Sequence, residues 1–154
     1  MKALANVSMC FIFTLLILAS QANASYSQAQ VIEVINNYTI KVIVFDEIKV
    51  VRLAEIICPS TRFGSFPCVE QAKNFLHEKA FGKEVTLEFW AIDAVGRTVC
   101  KVFLPDGTSL GKLLVSKGYA LQDKYYSDNP ELSSLEKNAQ KDKLGVWDYV
   151  GQVL

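Results

Sequence analysis

Arg52 lies in the run Val50-Val51-Arg52-Leu53-Ala54-Glu55-Ile56-Ile57, which ends at a Cys58-Pro59 corner. A guanidinium in an apolar, β-branched run needs a partner or a task. Arg97 follows the turn-forming Asp93-Ala94-Val95-Gly96 and opens a second apolar strand. Two arginines at strand ends, with a proline corner between them in sequence, point to an anion site. A planar guanidinium donates to phosphate oxygens in pairs. The competing assignments are structural: an ion pair of Arg52 with Glu55, Glu33 or another carboxylate, and a solvated strand start for Arg97. Tyr125-Tyr126 is a candidate aromatic platform for a base, set against plain packing or a solvated loop.

Other chemistries find little support. The single histidine, His77, falls in a helical pattern as a surface or core-edge residue, and no C-x-x-C is present, so no metal site is expected. No P-loop, G-x-G-x-x-G, G-x-S-x-G or H-E-x-x-H occurs. The formal net charge is zero, so composition lends no support to a polyanion partner. Lys137, Lys141 and Lys143 alternate with Glu136 and Asp142, the pattern of a solvated face. Asn37-Tyr38-Thr39 is an N-x-T sequon.

The elements that must position the arginines follow from patterning. Val31 to Ile35, Thr39 to Phe45 and Ile48 to Ile57 predict a three-stranded meander, turning at Asn36-Asn37-Tyr38 and Asp46-Glu47. Cys58 to Pro67 is a loop. Val69 to Ala80 is a helix capped by Gly82. Glu84 to Trp90 alternates Val85, Leu87 and Phe89 against polar residues, and Arg97 to Leu104 is a fifth strand. Leu110 to Lys117 is a short helix ended by Gly118. A last helix opens at Asn129-Pro130-Glu131, with Leu132, Leu135, Ala139 and Leu144 as its stripe, and ends at Gly145. This order fits an α+β fold: a five-stranded OB barrel, with a helix between the third and fourth strands and C-terminal helices.

The first 24 residues read as a leader. Lys2 is followed by an apolar run, Met9 to Ala19, and an A-x-A cleavage signal, Ala22-Asn23-Ala24. A membrane anchor is the alternative, but the run is short of the ~20 residues a span takes. The expectation is a secreted or periplasmic domain over 25–154, with no membrane contact once the leader is cleaved. Lys2 is the only charge lost, which leaves one net negative charge. Cys10 leaves with the leader, and Cys58, Cys68 and Cys100 remain. In an oxidising compartment a short-loop Cys58–Cys68 bond is favoured, with Cys100 as a core thiol.

Arg52-Leu53, Pro59, Asp93-Ala94-Val95-Gly96-Arg97 and Lys143-Leu144-Gly145-Val146-Trp147 resemble, in order, the staphylococcal nuclease (thermonuclease) family. The family pattern is Asp-Gly-Asp-Thr, then Arg-Leu-x-x-x-Asp-x-Pro-Glu, then Asp-x-Tyr-Gly-Arg. The resemblance spans about Val31 to Trp147 and implies the same barrel. It gives Arg52 and Arg97 the roles of catalytic, phosphate-clamping arginines. It also places Tyr38 and Ile57 where the family has calcium-ligating aspartates, Ser60 at its glutamate and Val95 at its tyrosine. The backbone oxygen of Cys58 is the one family ligand that survives. Glu55, two residues before Ile57 and ~6.6 Å away in a regular strand, is the one candidate substitute carboxylate.

Three functions follow as expectations. The first is an exported, catalytically degenerate domain, whose Arg52 and Arg97, with Tyr125 and Tyr126, bind nucleic acid or another phosphate-bearing ligand without a cofactor. The second is an active secreted endonuclease cutting DNA or RNA phosphodiester bonds, with calcium as cofactor in that case alone. The third is a protein-interaction domain in which Tyr38 and Ile57 pack together and close the old cleft.

Overall fold

The computed structural model describes residues 26–58 and 68–153. The leader, the Pro59 corner and Ser60 lie outside the described residues. Five strands form a closed barrel in the order β1-β2-β3-β6-β5. They are β1 Tyr26–Asn36, β2 Thr39–Val44, β3 Glu47–Leu53, β5 Glu84–Ile92 and β6 Thr98–Phe103. β4 (Ile56–Ile57) pairs with β7 (Leu121–Gln122) as a separate two-stranded ribbon. The helices are α1 Cys68–Ala80, α2 Leu110–Ser116, α3 Pro130–Lys141 and α4 Val146–Val153. The expected α+β five-stranded barrel is therefore present, with α1 between its third and fourth strands.

Alternation builds the interior. Ile40 and Val42 of β2, Val51 and Leu53 of β3, and Val102 of β6 are all but fully buried. α1 presents Leu76 and Ala80 to this core. Its C-terminal turn is tied to β1 through Gly82 N–H to the Val31 carbonyl (2.9 Å) and Val31 N–H to the Lys83 carbonyl (3.0 Å). Asn129 caps α3 by accepting from the Glu131 N–H (3.1 Å), and Pro130 occupies its first turn, as the sequence predicts.

Most bounds shift from expectation by a residue or two, and the larger departures have physical reasons. β1 starts at Tyr26 rather than Val31. The run Ile48 to Ile57 is not one strand. It breaks at Ala54-Glu55, where Glu55 takes a φ of 65°, and the last two residues leave the barrel to pair with β7. β5 runs on to Ile92 past a bulge between Phe89 and Ala91, and Phe89, in register opposite Cys100, is half exposed. The last predicted helix stops at Lys141, and Gly145 leads into α4 rather than ending α3. Among the described residues no helix is long and apolar enough to cross a membrane.

Candidate anion-binding cleft

Pairing register brings the two arginines together. β3 and β6 run parallel, with Val51 beside Thr98 and Arg52 beside Val99, so Arg97 emerges on the edge that carries Arg52. β2 and β3 are antiparallel, with Thr39 opposite Arg52, and the Leu53 N–H donates to the Tyr38 carbonyl (2.9 Å). Tyr38 is thereby set beside both. One cleft of ≈ 410 Å³ is lined by Tyr38, Arg52, Ile57, Arg97, Asp123 and Tyr126, together with Glu55, Asp93 and the β5–β6 hairpin.

Each guanidinium already has a carboxylate. The Arg97 Nε donates to Asp93 Oδ2 at 2.6 Å, while Asp93 Oδ1 accepts from the N–H groups of Arg97 (2.8 Å) and Val95 (3.1 Å). Burial works to raise the Asp93 pKa, but these donors outweigh it and hold the carboxyl below the usual range. The Asp93 hydrogen bond in turn pushes the Arg97 guanidinium above its ordinary value, with Tyr38 adding to the effect. Arg52 lies 3.5 Å from Asp123 Oδ2 and donates to the Ile56 carbonyl at 3.2 Å. Its guanidinium carbon sits 5.9 Å from the Tyr38 ring centroid. The structural ion pair expected for Arg52 exists, and of the carboxylates left open the partner is Asp123; Glu33 pairs with Lys41 and Glu55 with Lys101. Arg97 is ion-paired rather than merely solvated.

Glu55 turns away from the role of substitute ligand. With β3 broken at that residue, the strand geometry that would align it with Ile57 is lost. Its carboxylate meets Lys101 (3.3 Å), Ser127 Oγ (2.9 Å) and Asn129 Nδ2 (3.4 Å). These contacts stitch the turn to the start of α3. Among the described residues no group of three His, Cys, Asp or Glu side chains is placed to hold a metal ion. Calcium needs several convergent oxygens. Tyr38 and Ile57, the positions at which the resemblance implies calcium-ligating aspartates, carry a phenol and an alkyl group, and Asp123, Asp93 and Glu55 each have a cationic partner. The described residues that line the cleft do not fit a calcium ion.

Tyr38 and Ile57 do not seal the cleft. Tyr38 packs on the main core, whereas Ile57 packs with Leu121, Val146 and Trp147 in a separate cluster. The space between them stays open. Tyr126 is exposed on the rim and meets Tyr125 edge-on at 4.7 Å between centroids. Tyr125 is 85% exposed and does not line the cleft. Val95 projects from the hairpin tip, and Trp90 carries Lys101 4.3 Å over its ring.

His77 is exposed and stacks on Phe81, a surface residue as expected. Cys100 is a buried core thiol, and burial pushes it up to about 11. The pairing of Cys58 with Cys68 turns on a side chain outside the described ones. Asn37 is 2% exposed and donates to Cys58 Sγ at 3.0 Å, so its sequon is closed to a glycan in the folded barrel. Asp123 is the cleft residue that sequence reasoning missed. The signal that would have found it is the Leu121-Gln122 pairing with β4, which no local pattern announces.

The sequence profile of the staphylococcal nuclease homologue family matches residues 50–149. The chain is similar to an uncharacterized endonuclease of Escherichia coli O157:H7, 27% identical over 120 residues, covering 77% of this chain and 75% of that protein. It is similar to a micrococcal nuclease of Shigella flexneri, 28% identical over 132 residues, covering 78% and 73%. It also resembles a probable staphylococcal-like nuclease, CAN1, of Oryza sativa subsp. japonica, 30% identical over 97 residues, which cover 63% of this chain and 28% of that protein. With the profile match running from β3 into α4 and the five-stranded barrel beneath it, the chain belongs to the staphylococcal nuclease homologue family.

Proposed function

We propose that this is an exported nuclease-fold domain that binds phosphate-bearing ligands, nucleic acid among them, and has lost metal-dependent hydrolysis. The observation that carries this reading is the pairing of two facts in one cleft. Arg52 and Arg97 converge there, while Tyr38 and Ile57 stand where the resemblance puts calcium-ligating aspartates. Guanidinium donors stabilise charge on phosphate oxygens. Without ligands for a cation and without a free carboxylate to take a proton from water, the arginines bind an ester and leave it whole. Export rests on the apolar run Met9 to Ala19 and the Ala22-Asn23-Ala24 signal.

A second reading keeps activity. The relatives' names describe nucleases, and Glu55, Asp93 and Asp123 do line the cleft. Single-stranded DNA and RNA, incubated with the protein in calcium, magnesium or manganese, separate the two. We expect no cleavage in any of the three, and retention of the DNA on the protein that Arg97→Ala weakens at least about tenfold. Cleavage abolished by Arg97→Ala would establish the active reading instead.

A further inference from the structure

The cleft contains its own anion at the Arg52 end. Asp123 follows β7, whose register against β4 sets Gln122 beside Ile56, and its N–H donates to the Glu55 carbonyl at 2.9 Å. Its carbonyl accepts from the N–H groups of Tyr126 (3.0 Å) and Ser127 (2.8 Å), and its Oδ1 from the Tyr125 N–H (3.3 Å). The carboxylate is held on the cleft wall with 12% of its side chain exposed, 3.5 Å from Arg52. The grip on Arg97 is closer, at 2.6 Å, and its holder Asp93 is fixed by two backbone donors. Arg52 is therefore the end that an incoming anion opens.

Charge then decides which anion. Arg52 and Arg97 are answered by Asp123 and Asp93, and Glu55 by Lys101. The cleft is neutral before a ligand arrives. A singly charged phosphate leaves it with one uncompensated negative charge, and a doubly charged phosphate leaves two, beside the apolar surfaces of Trp90, Ile92, Val95 and Tyr126. Repulsion from the fixed Asp123 grows with ligand charge, and so does the desolvation cost. The same apolar walls suit uncharged ester substituents.

We propose that Asp123 is an internal counter-anion of Arg52 that tunes this cleft to singly charged phosphodiesters and against doubly charged terminal phosphates. The proposal rests on the anion-site reading given above and adds to it a specificity-determining residue.

Calorimetric titration of the full chain at pH 8 tests it, where a phosphate monoester carries nearly two charges. The probes are methyl phenyl phosphate, a diester, and phenyl phosphate, a monoester. The wild type binds the diester more tightly. Asp123→Asn, which keeps an oxygen for the Tyr125 N–H, tightens both probes and gains about tenfold or more extra on the monoester. Arg52→Gln weakens both. A wild type that prefers the monoester overturns the proposal without recourse to any variant. If both probes need Arg52 and Asp123→Asn changes neither affinity, the anion site stands and the part given to Asp123 falls. Failure of the wild type to bind either probe removes the anion site and this inference with it.

Discussion

The Asp93 carboxylate accepts from three donors, two of them on Arg97: its oxygens take the Arg97 Nε, the Arg97 N–H and the Val95 N–H. The charged carboxylate is what these donors recognise, so the folded pKa lies below the unfolded one. A depressed carboxylate stabilises the fold above its unfolded pKa, and the contribution is lost as pH falls through the folded value. Thermal melts from pH 7 down to pH 2 should therefore show wild type ahead of Asp93→Asn near neutrality, with the two curves converging in acid. A constant gap across that range would mean that Asp93 acts through shape alone. The arginines themselves were legible in the sequence, because a guanidinium in a β-branched run is conspicuous. Their partners were not. Asp93 reads as a turn residue and Asp123 as a loop residue until the barrel closes. Of the carboxylates open to Arg52 in the sequence, Glu55 is taken out by its turn at a φ of 65° toward Lys101, and Asp123 supplies the pair.

At the level of elements, the start of α4 is fixed to the turn between α2 and β7 by a backbone crossing. The Val146 N–H donates to the Gly118 carbonyl at 3.0 Å. A Cβ on Gly118 would stand 2.0 Å from the Leu144 carbonyl oxygen, and one on Gly145 would stand 2.4 Å from the Gly118 carbonyl oxygen. Both glycines also have positive φ, 68° and 56°, which adds strain for any other residue. Gly145→Ala should cost on the order of 3 kcal/mol, combining left-handed strain with a backbone clash that no side chain can relieve. A denaturant melt checks this, and a loss under ~1 kcal/mol would show that the two segments separate freely. The sequence marks both glycines as helix terminators, a local role. Their contact across 27 positions of chain carries no local signature. The break after Leu53 was hidden for a related reason. Ile56-Ile57 continues the β-branched pattern, and only the β7 partner shows that those residues belong to another sheet.

The cleft lies between the barrel and the β4–β7 ribbon, and that placement makes it a lever on the whole molecule. Arg52 lies on barrel strand β3 and Arg97 just before β6, whereas Ile57 lies on β4 and Asp123 just after its partner β7. A ligand bound only by the folded arrangement adds RT ln(1 + [L]/Kd) to stability, about 2.7 kcal/mol at a hundredfold excess over Kd. A bound structural cation would add a term of the same form, removable by chelator. The absence of a fitting oxygen cage among the described residues means that the melting temperature should rise with added phosphodiester and stay unchanged in EDTA. The two readouts are independent. A fall in melting temperature on chelation would reveal a cation that Tyr38 and Ile57 leave no evident place for, and would revive the hydrolytic reading. An unchanged melt in EDTA with a rise in diester is the signature of a barrel whose arginines outlived its metal chemistry.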